Sequence, residues 1–305
     1  LPLYLLRRLW CRGSSRNSFK NGWKENSDPR RARGLKKLSP FLVSLTFFVL
    51  LFYFLPPEEI FNFLSLVSLQ NLAIAFAFYG LSHLARTIRW KLLLKDLSFF
   101  QTFLVNSANV FLNNLLPART GELSWFYYSK AMGVEFKRSL GVFLLGRLMD
   151  LLALFVLLSF FYALKEGRLN LYLVPFLLVF FSFLSYFPLA KLKSLQVGFF
   201  NFAISFFLSL CSSLLKFSSL VFLVSLEPSV MLFLSFLGGE LSTILPIHSF
   251  GGFGTYELSF SIPQKLFGES LMGGIKLAFV FHVFLLLSSA IFGMFSLFVL
   301  YRKLQ

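Results

Sequence analysis

Apolar residues recur along this chain in runs too long for helices of a water-soluble domain. Six runs read as full crossings: residues 38–55, 64–85, 139–164, 171–188, 196–225 and 272–300. Each lies near the roughly 20 residues a helix needs to cross about 30 Å of hydrocarbon. Two further apolar stretches, 97–131 and 229–267, are interrupted midway by Pro and Gly. The pattern predicts an all-α, polytopic helical membrane protein with about six full spans and two re-entrant helical hairpins.

Basic residues test that map, because short cytoplasmic loops collect Lys and Arg. With each broken stretch treated as a hairpin that enters and leaves on one side, 22 of the 29 basic residues fall on one face. They include Arg86, Arg89, Lys91 and Lys95 after the second run, Lys130, Lys137 and Arg138 after the first hairpin, then Lys191, Lys193, Arg302 and Lys303. Lys165, Arg168 and Lys265 fall on the other face, and Arg119, Arg147, Lys216 and Lys276 within apolar segments. This asymmetry predicts cytoplasmic termini and hairpins that enter from opposite faces. Opposed broken helices meeting near the midplane point to a transport site and raise an inverted repeat. Broken backbone at that depth needs protein or a wet cavity to satisfy its N–H and C=O groups, so the breaks predict a polar interior.

Composition agrees. Of 305 residues, 57% are hydrophobic and only 14% charged, where a soluble domain keeps about a quarter charged. The net charge of +16 would suit nucleic acid if it were spread over a folded surface. Instead residues 1–37 carry eleven basic side chains against Glu25 and Asp28, which is +9 of the total. A polybasic arm before a first span is an anchor beside anionic lipid, so no nucleic-acid partner is expected. The arm is too long, and lacks the small-residue cleavage site, for a secretory signal peptide. The organisation expected is a cytoplasmic arm over 1–37 and a membrane domain over 38–305, placed in the cell (inner, cytoplasmic) membrane.

Candidate chemistry sits at the breaks. Asn106, Asn109 and Asn113 fall at i, i+3 and i+7 on one helical face, which should turn inward as helix–helix glue or as a site. Arg119 and Glu122 follow Pro117, and charges at membrane depth pair with each other or line a pathway. Arg147 and Asp150 are spaced to pair on one face and are equally placed to reach Glu122 or Arg119. In the second stretch, Glu240 precedes Pro246, and Gly251, Gly252 and Gly254 precede Glu257. Glycines there allow either a tight turn or a nest of N–H groups that takes an anion. His83, His248 and His282 lack ligand spacing, so no metal is expected. No dinucleotide fingerprint is present, since Glu257 stands where a third glycine would be, and no cofactor or catalytic residue is assigned.

Together, Asn113-x-x-x-Pro117-x-Arg119-x-Gly121-Glu122 and Gly251-Gly252-Phe253-Gly254-Thr255-Tyr256-Glu257 resemble the lysylphosphatidylglycerol synthase transmembrane-region family, the flippase-like domain proteins. Arg86-x-x-Arg89-Trp90-x-x-Leu93-Leu94 and Arg147-x-x-Asp150 support the likeness, which covers about residues 38–300. In the bifunctional members a separate soluble domain performs aminoacyl transfer, while the membrane part is credited with moving lipid between leaflets. The resemblance therefore implies translocation and not synthesis, with a polar phospho- or glyco-lipid head group as substrate. On that reading Arg119 and the Gly251–Gly254 amides hold a phosphate, and Glu122, Asp150 and Glu257 balance its charge or meet a cationic head. The partners expected are membrane lipids, anionic or phosphate-bearing, with homo-oligomerisation left open. The alternative is an intramembrane glycosyl or acyl transferase that uses Glu122, Asp150, Glu240 or Glu257 as acid or base.

Overall fold

The computed structural model describes residues 67–116, 119–187, 197–243 and 249–304, with residues 49 and 58 besides. Every regular element among them is helical, as the apolar pattern predicts. The basic arm, the run 38–55 apart from Val49, Pro117, Pro246, His248, Lys191 and Lys193 lie outside the described residues.

Local chemistry starts and stops the helices. Ser68 opens α1 (Leu69–Leu93), its Oγ accepting from the Asn71 N–H at 3.1 Å. Ser98 and Gln101 form a reciprocal capping box at the start of α2 (Phe99–Leu115). The short α3 (Glu122–Ala131) completes the first broken stretch. The 31-residue α4 (Phe136–Glu166) ends on Gly167 in the left-handed region, φ 63°. A 3₁₀ turn (Leu169–Tyr172) leads into α5 (Leu173–Leu184). The 26-residue α6 (Phe199–Val224) is followed by α7 (Val230–Ser242), capped by Ser229. A 3₁₀ turn (Phe250–Gly252) precedes α8 (Thr255–Leu266), and α9 (Leu271–Leu304) closes the chain's described part.

By length and composition, α4, α6 and α9 are long and apolar enough to cross a membrane. Three of the expected spans thus appear as single long helices. The expected run 64–85 is corrected: its helix does not end at Ala85 but continues to Leu93, carrying Arg86 and Arg89 inside the bundle. In the run 171–188 the 3₁₀ turn and α5 make one apolar helical stretch, Leu169–Leu184, and residue 188 lies outside the described residues.

The packing repeats an order of elements. A helix (α1, α6), a helical hairpin (α2–α3, α7–α8) and a long helix (α4, α9) occur twice in sequence. The two leading helices pack on each other, and each hairpin closes on itself and on a long helix: α2 and α8 on α9, α3 and α7 on α4. Both closures depend on glycine. A Cβ at Gly121 would meet the Leu112 and Asn113 backbone at 2.3 Å, and one at Gly238 would meet the Ser259 carbonyl oxygen at 2.1 Å.

Polarity is arranged for a lipid solvent. Large apolar residues such as Phe180, Phe200, Phe207, Leu287 and Phe298 face outward, while Ser82, Ser205, Ser209, Ser212 and Ser219 are buried. Small hydroxylic residues let helix backbones approach and bond across the contact. Between α1 and α6, Ser82 Oγ donates to the Ser212 carbonyl at 2.7 Å, and Ser212 Oγ donates to the Ser82 carbonyl at 3.1 Å.

Candidate functional site

A polar cavity lies where the two halves meet. It offers about 90 Å³ to the centres of water molecules, room for several when one needs roughly 10–15 Å³. Its lining includes His83 and Arg86 of α1, Asn109 and Asn113 of α2, Arg147 and Asp150 of α4, Lys216 of α6, and Glu240 of α7. Tyr256 of α8 and His282 of α9 line it as well. Seven helices thus contribute to one polar space inside the bundle.

Ion pairs stitch these helices together. Arg89, 0% exposed, pairs with Asp150 and also donates to Ser209 Oγ at 2.7 Å, which joins α1, α4 and α6. Its guanidinium lies over the Trp90 ring, 4.5 Å from the centroid. Glu122 accepts from two arginines: Arg119, three residues before it, and Arg147 of α4 at 3.1 Å. Lys216 and Glu240 pair at 2.7 Å between α6 and α7. The carboxylate of Glu257, buried completely, accepts the Gly254 N–H on Oε2 and faces His282 Nδ1 from Oε1, both at 2.7 Å.

Of the alternatives the spacing left open for Arg147 and Asp150, the structure shows Arg147 on Glu122 of α3, while Asp150 is taken by Arg89 of α1, because their shared face of α4 looks onto α3 and α1 together. Arg86 and Arg89 do not lie in a loop, as the charge count assumed: both sit on α1 inside the bundle. The Asn stripe does turn inward. Asn106 donates to Thr87 Oγ1 at 3.0 Å, which is helix glue, and Asn109 donates to the Gly121 carbonyl at 3.2 Å, which ties α2 to the hairpin tip.

Of the expected site residues, Asn109, Asn113, Arg147, Asp150 and Glu240 line the cavity among the described residues. Arg119, Glu122, Gly251, Gly252, Gly254 and Glu257 are not among its lining residues. Glu122 is one contact away through Arg147, and Glu257 one contact away through His282. Gly251, Gly252 and Gly254 all have positive φ, 64°, 78° and 90°, and the Gly254 amide is engaged by the chain's own Glu257. Arg119 takes φ 56°, a left-handed conformation rare for a side-chain-bearing residue, at the first hairpin's turn.

Sequence reading missed Arg86, Lys216, Tyr256 and His282 as cavity residues. Lys216 had a signal, since it is the single charge in an otherwise apolar helix, and Arg86 had a weaker one, as the first of three basic residues at the end of an apolar run. Tyr256 and His282 had none, because only the close approach of α7, α8 and α9 brings them in.

A polar, ion-paired cavity inside an apolar-faced helical bundle defines a polytopic α-helical membrane protein. The chain matches the family described as the lysylphosphatidylglycerol synthase TM region over residues 40–293. It belongs to that family. Comparison with curated proteins finds no match.

Proposed function

We propose that this protein is a lipid translocator, which carries a polar, phosphate-bearing head group between leaflets through the cavity while the acyl tails stay in the bilayer. The observation that carries the reading is the cavity itself, a polar, charged space reached by both hairpins inside a bundle whose outer face is apolar. Polar and ionisable groups at membrane depth are expensive and mark substrate pathways by default. The recurrence of helix, hairpin and long helix supports an inverted repeat with hairpins re-entering from opposite faces, the arrangement suited to alternating access. In the proposed setting the protein lies in the cell membrane with both termini cytoplasmic.

The transferase alternative is less well supported. Glu122, Asp150, Glu240 and Glu257 are each engaged by a cationic or histidine partner, which suits charge balance rather than proton transfer to a substrate. The family match covers a membrane region only.

The test is leaflet exchange of labelled phospholipids in proteoliposomes. Exchange should rise with protein content and fall to the protein-free rate in Ser213→Trp, which fills the cavity from α6. No exchange with any head group by the folded wild type overturns the reading.

A further inference from the structure

We infer that the cavity seats an anionic, hydroxyl-bearing phosphate head group, with Arg86 as the phosphate-binding residue and Asn113 and Tyr256 as its hydroxyl partners. For the lipid's passage this rests on the translocator reading; the seat itself rests on polar groups the fold leaves without partners.

Arg86 makes no hydrogen bond or ion pair among the described residues, whereas Arg89, Arg119 and Arg147 each bond a carboxylate. Its Nε is buried without a partner, as are Asn113 Oδ1, Arg147 Nε and Tyr256 Oη, and all four residues line the one cavity. Tyr256 is 1% exposed, so its hydroxyl gains little from bulk water. Buried polar atoms of native proteins nearly always have partners, and a group left without one costs about 1–3 kcal/mol. Four such atoms around one space read as contacts waiting for a ligand.

Their chemistry defines it. Arg86 and Arg147 can only donate, and a guanidinium fork matches the oxygens of a phosphate. Asn113 Oδ1 can only accept, so the same ligand must also present a donor. Tyr256 can do either. The donor is a hydroxyl rather than an ammonium, because charge forbids the latter. Asp150 and Glu240, the acids lining the cavity, are already paired with Arg89 and Lys216. An incoming ammonium would meet Arg86, Arg147 and Lys216, and both carboxylates that line the cavity are already paired. A phosphate diester carrying glycerol or a sugar satisfies all four groups; a lysyl-esterified head does not.

The experiment measures lipid binding by the purified full chain in nanodiscs. The lipids are phosphatidylglycerol, its lysyl ester and phosphatidylethanolamine, with soluble glycerol 3-phosphate alongside. Phosphatidylglycerol should bind tightest. Arg86→Ala should weaken it about 10- to 100-fold and Arg86→Lys less, the range for a hydrogen bond to a charged group. Tyr256→Phe guards against misfolding, because the hydroxyl it removes bonds nothing in the structure. It should leave the thermal midpoint unchanged or raised, yet weaken binding about 2- to 10-fold.

Equal binding of the lysyl ester, or phosphatidylglycerol binding indifferent to both Arg86→Ala and Tyr256→Phe, overturns the inference. Glycerol 3-phosphate binding as tightly as the lipid reassigns the seat to a soluble phosphate ester and overturns its lipid part. Leaflet exchange on the same samples separates the two claims. Exchange that ignores Arg86 removes the seat and keeps the translocator, whereas Arg86-dependent binding without exchange does the reverse.

Discussion

Arg147 reaches past Asp150, its neighbour one turn along α4, and bonds Glu122 of α3 at 3.1 Å. Asp150 in turn is held by Arg89 of α1. One long helix is thereby fastened by charge to both the hairpin and the leading helix of its own half. The physical reason is desolvation: a charge inside a bundle needs the nearest counter-charge in space, whatever helix supplies it.

Breaking the Arg89–Asp150 pair should therefore cost stability. Asp150→Ala leaves a wholly buried guanidinium uncompensated, and a loss of about 3–5 kcal/mol is expected. The double variant Arg89→Met/Asp150→Leu should recover most of that loss. Thermal unfolding in detergent, run as a double-mutant cycle, checks both; a double variant as unstable as the single contradicts the pairing.

Glu122→Gln should act on charge rather than on fold. Arg119 and Arg147 share that carboxylate, so neutralising it strengthens the positive field beside the cavity. Anionic lipid should bind about 3- to 10-fold tighter, within the ordinary range of coupling to a nearby charge. Leaflet exchange should slow as release becomes limiting. A lipid titration and an exchange rate on one preparation decide it.

Gly238→Ala tests the second hairpin's closure. The added methyl would meet the Ser259 carbonyl oxygen at 2.1 Å, and both atoms belong to helices that cannot slide apart cheaply. Overpacking of this kind costs about 1–3 kcal/mol. A lower thermal midpoint and a smaller monodisperse yield are expected. Gly198→Ala makes the contrast, since nothing lies near a Cβ there and its φ of −72° suits any residue.

Glu257 should prove structural before it proves functional. Glu257→Ala strips a partner from the Gly254 N–H and from His282, at about 1–3 kcal/mol for each group left unsatisfied. Glu257→Gln keeps an acceptor for Gly254 and should lose less. Equal losses in the two variants would contradict the capping role.

Much of the broad architecture was legible because lipid imposes a simple rule on sequence. Runs of apolar residues near 20 long can only be helices in hydrocarbon, and α4, α6 and α9 follow the expected runs closely. The inward turn of Asn106, Asn109 and Asn113 follows from helical periodicity alone. Arg86 and Arg89 show where the reading failed. A basic residue at the end of an apolar run has the same appearance in a cytoplasmic loop and in a helix that continues into a polar interior.

The sequence by itself determined the helical class, the membrane setting, the family and the two breaks, since each is written in local periodicity, length and motif. Which charges pair, and which polar groups remain free, only the tertiary structure decided. Coulomb attraction and hydrogen bonding depend on distances of a few ångströms between groups 20 to 60 or more residues apart, as between Arg89 and Asp150. The folded bundle leaves Arg86, Asn113 and Tyr256 facing one cavity with polar atoms that find no partner among the described residues, and no spacing along the chain carries that fact.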